Sequence, residues 1–480
     1  MANIREITLN ILMEYYRDGT RKPSLLKDSL EKYDYLETRD KAFIKRVVDG
    51  CIERQIQIDY VLDSFSKTKV EKMQHFIRNL LRMSVYQIMF MDQVPDSAAC
   101  NEAVKLAQKH KFSELKGFVN GVLRNISRNK DKIEYPDRKA DGGIKYLSIL
   151  YSMPDWICRM WVDSYGFEKT EEMLKFFLLP RPTVVRLNSL KVSCDETNTD
   201  SSIATADGFI TELQKAGAVV RKSPLLPYAL ELEKTDNIRF LPGFEEGLFF
   251  VQDVSSMLVT ELADPKPGQV VIDVCAAPGG KSLHAAERVF DEETSGGNGD
   301  SSSDDMSGTV ISRDVSERKC GIIRENAERM ALSNVVVQLH DARVHDPDLE
   351  SKADILYLDL PCSGLGIIGR KNDIKYNASK QGLSDLSKLQ WEIIKTAWDY
   401  VKPGGILMYS TCTVNRGENE DMVERICEEL PFDPVDFSDL LPAEMMGKEK
   451  KAAHGYIQLL PGEYGTDGFF IAKFRRITKE

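Results

Sequence analysis

Two cysteines follow short apolar runs far apart in the chain: Cys362 in Asp359-Leu360-Pro361-Cys362-Ser363, and Cys412 in Ser410-Thr411-Cys412-Thr413. Upstream of both stands a small-residue turn, Asp273-Val274-Cys275-Ala276-Ala277-Pro278-Gly279-Gly280-Lys281. One chemistry uses all three parts. Methylating C5 of a cytosine takes a nucleophile to break the ring's aromaticity, a second group to help undo the adduct, and a pocket for a sulfonium methyl donor. A free cysteine alone is usually a small core residue. Two at strand ends beside a donor turn reverse that reading. Thiolate is the attacking form, so at least one site must lower the thiol pKa, with Lys281, Arg370 and Lys371 as candidate sources of positive field. Cys275 reads as packing, and Cys51, Cys100, Cys158, Cys194, Cys320 and Cys427 as structural.

The turn itself reads as strand, tight loop and helix start. Gly279 and Gly280 let the backbone approach a ligand that a Cβ would obstruct. Asp314 ends the next strand, where it can accept from ribose hydroxyls, and Asp341 follows the third, where it can meet an adenine amine. The spacing from the turn to Asp314 is long, and removing an intervening acidic insertion restores it. Three such features on consecutive strand ends point to a nucleoside-containing ligand. The pattern is not GxGxxG, so the ligand need not be a dinucleotide.

These side chains need a sheet to hold them. From about residue 250, apolar runs at Val270–Val274, Thr309–Ser312, Val335–Leu339, Ile355–Leu358 and Ile406–Tyr409 alternate with helical segments near 281–289, 316–330, 385–402 and 418–429. That rhythm predicts a doubly wound parallel sheet, with Gly468–Phe474 returning antiparallel at its end. Neighbouring fourth and fifth strands would bring both thiols to one cleft. Residues 1 to about 130 read as helices, with Ile44, Val47, Val48, Cys51 and Ile52 on one face, and Val119, Val122 and Leu123 on another. Between the two, a strand at Thr183–Asn188, a helix over 208–216 and a strand at Ala218–Arg221 predict a small α/β appendage. The segment 291–308 holds six acidic residues, no basic one, and mostly Ser and Gly otherwise, which predicts a disordered surface loop.

At 480 residues the chain exceeds one core, and its 42% apolar and 29% charged content is that of a soluble globular protein. No apolar run reaches the ~18 residues of a membrane span, and the N-terminus has no signal core, so a cytoplasmic protein is expected. Nine irregularly spaced cysteines fit reduced thiols, and neither they nor the six histidines show metal-ligand spacing. The net charge of −11 is uneven: residues 1–130 carry 23 Lys/Arg against 17 Asp/Glu. Lys105, Lys109, Lys111, Lys116, Arg124, Arg128 and Lys130 cluster there, either as a phosphate-facing patch or as a solvated helix face.

DVCAAPGGK, DLPCSGLG, YSTCTVNRGENE and TDGFFIAKF together resemble the donor-loop, first-cysteine, second-cysteine and last-strand motifs of the NOL/NOP/Sun family of RNA (cytosine-5)-methyltransferases. Phe250–Ser256 and Arg186-Leu187-Asn188 also look like family segments, and the match covers roughly 150 to 475. Asn101–Val104 and Gly117–Arg124 are similar to the NusB-type RNA-binding fold. The pairing looks like the Sun/Fmu branch, whose substrate is a cytosine of bacterial 16S rRNA. The resemblance implies an α/β fold: a Rossmann-like class I methyltransferase sheet, mostly parallel with the last strand antiparallel, preceded by a small α/β subdomain and an all-α NusB-like domain. The expected divisions are 1–132, 133–245 and 246–480.

Carried over by motif, Cys412 is the nucleophile at C6, Cys362 assists release, and Asp359 hydrogen-bonds the ring near N3. Cys275, Ala276, Ala277, Pro278, Gly279, Gly280 and Lys281, with Asp314, Asp341 and Asp359, are implied to hold S-adenosylmethionine. Lys281 orients either the donor's carboxylate or the base. The implied partner is 16S rRNA, naked or partly assembled, acted on by a monomer without metal or membrane. Asn372 departs from the proline that related sequences often carry in the base-side loop Arg370–Tyr376. Three rivals remain: a DNA cytosine methyltransferase using the Pro-Cys thiol, the same chemistry on tRNA or 23S rRNA, and a non-catalytic RNA-binding factor.

Overall fold

The computed structural model describes residues 3–17, 25–33, 35–195, 204–235, 237–290 and 308–478. The expected acidic loop therefore lies, but for Gly308, outside the described residues. The chain divides into two compact units, 1–179 with 368–377, and 180–367 with 378–480.

The first unit is helical. Helix His75–Phe90 runs through its middle with Phe76, Ile77, Leu80, Leu81, Val85 and Ile88 buried. Around it lie Ile4–Tyr15, Thr38–Glu53, Gln55–Phe65, Asp96–Lys109 and Lys116–Asn129. The predicted stripes Ile44, Val47, Val48, Cys51 and Ile52, and Val119, Val122 and Leu123, all face this core. Arg82 is buried and stays charged because Asp59 takes it bidentately, at 2.7 Å and 2.6 Å. Three further helices, Ile144–Leu150, Asp155–Tyr165 and Phe167–Phe177, extend the unit to residue 179.

Residues 368–377 also belong here, so the segment Arg370–Tyr376 packs with the helices of this unit. Lys375 is buried and its Nζ donates to Glu53 O at 2.7 Å, at the carbonyl end of helix Thr38–Glu53 where a cation is favoured. Asn372 Nδ2 donates to Asp49 O at 3.4 Å. Arg370 and Lys371 fall in this helical unit with them.

The second unit holds two principal sheets. In the smaller, β1 (Thr183–Leu187), β4 (Val219–Lys222), β5 (Ala229–Glu233) and β6 (Phe249–Val251) order as β4-β5-β1-β6, all antiparallel; β2 (Val192–Ser193) and β3 (Ala204–Thr205) form a separate pair. Its last strand lies past residue 245, because ladder bonds to β1 decide its membership. The larger comprises β7 (Val271–Asp273), β8 (Val310–Asp314), β9 (Val335–Leu339), β10 (Ala353–Asp359), β11 (Val401–Thr411), β12 (Phe432–Pro434), β13 (Tyr456–Leu459) and β14 (Phe469–Arg476).

The larger sheet orders as β12-β14-β11-β10-β7-β8-β9, with β13 on β14. β9, β8, β7, β10 and β11 are mutually parallel, and β14 is antiparallel to β11, as the hydrophobic rhythm predicts. Helices Gly280–Val289, Glu317–Met330, Lys380–Ala397 and Glu420–Glu429 form the connections. Among the described residues, no helix is long and apolar enough to cross a membrane.

A buried ion pair joins the small sheet to the donor helix. Arg186 on β1 and Glu287 on Gly280–Val289 are both essentially inaccessible and hydrogen-bonded through Arg186 Nη1. Arg186 Nε donates to Gln252 Oε1 at 2.9 Å, and Ser189 N and Oγ donate to Glu287 Oε2 at 3.0 Å. These contacts tie Arg186, Ser189 and Gln252 to the helix that follows the turn 275–281.

Candidate active site

β10 and β11 are adjacent and parallel, with Asp359 level with Ser410. Their chains leave the sheet at one edge about 4.8 Å apart, so the residues that follow must meet. Cys362 Sγ and Cys412 Sγ lie 3.4 Å apart, both thiols reduced and partly buried. At this distance one sulfhydryl can donate to the other sulfur. The Cys362 thiol is pushed well up from its ordinary range, first by its hydrogen bond to Cys412 and then by burial.

The loops bearing the thiols are tied to one another. Gly366 N donates to Cys412 O at 3.1 Å, and an added Cβ on Gly366 would stand 2.0 Å from Gly468 O, so only glycine lets these backbones touch. Ser363 Oγ and Thr413 Oγ1 are 2.6 Å apart. Asp359 sits beneath the thiols with Ser410 Oγ on one oxygen at 2.8 Å and Lys281 Nζ on the other at 2.7 Å. Lys281 also lies 5.2 Å from the Phe469 ring centroid. Its ammonium points at the acid and offsets the carboxylate charge beside the thiols.

The turn after β7 is held from behind by Asp273, which accepts from Cys275 N at 3.3 Å and Ser282 Oγ at 2.7 Å. Burial pushes the Asp273 carboxyl up to about 7. Gly279 has φ +107, which other residues adopt at a steric cost. Burial pushes the Cys275 thiol up as well, consistent with a packing role.

A cavity of about 440 Å³ opens beside this turn, lined by Cys275, Asp314, Asp341, Asp359, Cys362 and Cys412 among others. That is the size of a small-molecule site. Asp314 is buried at the hollow; Ala277 N and Lys319 Nζ both donate to its Oδ2 at 3.4 Å, and Lys319 Nζ lies 3.1 Å from Oδ1, so a ribose hydroxyl would share this carboxylate with the lysine. Asp341 is gripped by Arg343, whose Nε and Nη2 donate at 3.0 Å and 2.6 Å, and this hydrogen bonding holds its carboxyl down at about 2. The structure thus gathers Cys362, Cys412, Asp359, Asp314, Asp341, Cys275 and Ala277 around one hollow, whereas Ala276, Pro278, Gly279, Gly280 and Lys281 are not among the residues that line it.

Some of what surrounds the site was not read from the sequence. Glu418, in the quoted run after Cys412, is fully buried against Ser363, and only its sequence neighbourhood hints at this. Cys194 and Cys427, read as structural, are exposed. His345, Glu350 and Asp399 converge at the surface with possible metal-ligand spacing that their positions in the chain conceal.

The sheet order, the turn after its first strand and the nucleoside-sized hollow define a Rossmann-like, S-adenosylmethionine-dependent methyltransferase. The solved structures agree on the fold: that of PH0851 has a TM-score of 0.74 at 23% identity, covering 99% of each chain. The structure of NSun6 from Pyrococcus horikoshii with SFG has a TM-score of 0.55 at 21% identity, covering 69% of this chain and all of that one.

The chain belongs to the 16S rRNA methyltransferase RsmB/F family, whose model matches residues 260–475, preceded by a NusB family match over 2–128. It is 33% identical, over 99% of both chains, to the probable ribosomal RNA small subunit methyltransferase B of Bacillus subtilis.

Proposed function

We propose that the chain methylates C5 of a cytosine in 16S rRNA through a covalent bond between Cys412 and C6 of the base. The observation that carries this reading is the pair of reduced sulfurs 3.4 Å apart on the wall of the hollow that also holds Asp314 and Asp359. In this reading residues 1–132 and 133–245 bind RNA, and 246–480 hold the donor and the thiols. Exposed cations on Asp96–Lys109 and Lys116–Asn129 meet phosphate. Every residue invoked comes from one chain, so a monomer suffices, and an rRNA substrate makes the cytoplasm its place of action.

Cys412 Sγ adds to C6, and negative charge spreads onto the ring toward N3. Asp359, held by Ser410 and Lys281, meets that edge, with the Lys281 ammonium compensating the charge. S-adenosylmethionine, when bound along 275–281 with Asp314 on its ribose and Asp341 near its adenine, supplies the electrophilic methyl group for C5. Before addition, the Cys362 sulfhydryl can donate to Cys412 Sγ. Once Cys412 is bonded to carbon, its sulfur no longer competes as a thiolate for the Cys362 proton. Cys362 then gives its proton to water and takes the proton from C5. The ring double bond re-forms as the C6–sulfur bond breaks, and the new Cys362 S–H receives the departing Cys412 thiolate. One proton is released per turnover. The target base leaves its stack at a cost of roughly a few kcal/mol, which favours a loop or bulge.

The test is covalent capture. Wild-type protein is expected to form a denaturant-resistant complex with 16S rRNA containing 5-fluorocytosine, and Cys412→Ala to form none. Cys362→Ala is expected to accumulate the complex on ordinary rRNA. A complex that survives Cys412→Ala would overturn the nucleophile assignment, and methyl incorporation into tRNA or 23S rRNA alone would overturn the substrate.

A further inference from the structure

Six residues beyond Cys412, the chain buries a carboxylate with no cation on it. Glu418 is 0% exposed and, among the described residues, pairs with no Lys, Arg or His. Its two oxygens instead accept four neutral hydrogen bonds. Ser363 N and Gln390 Nε2 donate to Oε2 at 2.9 Å and 3.1 Å. Ser363 Oγ and Asn415 Nδ2 donate to Oε1 at 2.6 Å and 2.9 Å. Gln390 Nε2 also donates to Pro361 O at 2.9 Å. Cys362 is therefore fixed on both sides, through Pro361 and through Ser363, by one polar cluster centred on Glu418. The main chain of Glu418 is anchored in turn, its carbonyl accepting from Tyr409 Oη at 2.5 Å.

A carboxylate offers both of its oxygens to these four donors, whereas an isosteric amide offers one oxygen and turns a donor toward the rest. We propose that Glu418 is a positioning residue for the release half of the reaction: its carboxylate locks the Cys362 loop so that the Cys362 sulfur faces both Cys412 and C5 of the adduct. This rests on the assignment of Cys412 as nucleophile and Cys362 as the group that takes the C5 proton. The charged and titratable groups facing Cys362 are Cys412, Glu418, Asp359 (paired to Lys281) and Tyr409. Each of the first three acts to hold the proton on Cys362.

The Glu418 field has a direction that can be read out. Removing it while keeping the shape, as in Glu418→Gln, makes the Cys362 thiol easier to ionise but loosens its loop. Gln can be seated with its amide on the Ser363 Oγ and Asn415 side, where the hydroxyl turns to Thr413 and the Asn amide flips. The expected result is unimpaired adduct formation and an unchanged KM for rRNA. Release slows by on the order of 10²-fold, so that the Cys412 adduct accumulates on ordinary rRNA. The acid limb of the release rate moves about one pH unit toward acid. Glu418→Asp keeps the charge with a shorter reach; release slows but the limb stays in place, which covers the case in which the Gln variant does not fold. Adduct formation and release slowed equally, or wild-type release with an unmoved limb, would overturn the proposal. Cys412→Ala run in parallel separates the two levels: if that variant still forms adducts the underlying assignment fails, and if it forms none the result speaks to Glu418 alone.

Discussion

Lys281 Nζ stands 2.7 Å from Asp359 Oδ2, which joins the first turn of the donor helix to the end of β10. The lysine is therefore placed to act on the base through the acid. Replacing it by Met is expected to lower kcat by on the order of 10²-fold, the usual cost of losing one group that stabilises developing charge, with donor affinity nearly unchanged. Equilibrium titration of S-adenosylmethionine beside single-turnover methylation checks this. A collapse of donor affinity with normal turnover at saturation would assign Lys281 to the donor's carboxylate.

Two reduced sulfurs 3.4 Å apart are also poised for oxidation. Hydrogen peroxide is expected to join Cys362 and Cys412 in a disulfide, two thiols losing two protons and two electrons as the peroxide becomes water. Activity should vanish and return with dithiothreitol. Peptide mapping would show this bridge, whereas the exposed Cys194 and Cys427 should be modified singly.

Asp273 gives the fold a pH dependence of known sign. Its folded value of about 7 lies above the ordinary 3.8, so the native state holds a proton that the unfolded chain has lost between those values. Its contribution to stability is therefore intact near pH 4 and declines as pH rises toward 7. Urea unfolding of the wild type minus that of Asp273→Asn, across this range, should show a difference of a few kcal/mol that closes at low pH. Asn can accept from Cys275 N and donate to Ser282 Oγ, so the variant should fold.

The Arg186–Glu287 pair is expected to matter for folding of the catalytic unit. Glu287→Ala leaves a guanidinium buried without its counter-charge, at a cost of about 3–5 kcal/mol, which denaturant titration would register. Glu424→Ala, at an exposed pair with Arg416, should leave stability essentially unchanged.

Local signals carried well. The strand–helix alternation from β7 onward, the antiparallel last strand and the helical core stripes were legible because periodicity and turn chemistry are written in neighbouring residues. The donor turn and both thiol motifs were legible for the same reason. The packing of Arg370–Tyr376 with the helical unit was not legible. The segment's motif position follows Cys362, but the burial of Lys375 on Glu53 O depends on a helix more than three hundred residues earlier. Glu418 went unassigned because a carboxylate in a charged run looks solvated until the fold buries it.

By itself, the order of residues determined which groups were present and at which strand ends they would stand. Only the tertiary structure decided that β10 and β11 are neighbours, that two sulfurs lie 3.4 Å apart across the gap, and that Glu418 is buried against Ser363 beside them. Strand pairing and burial are set by contacts between distant parts of the chain, and those contacts create the low-dielectric surroundings in which a proton's position becomes chemistry.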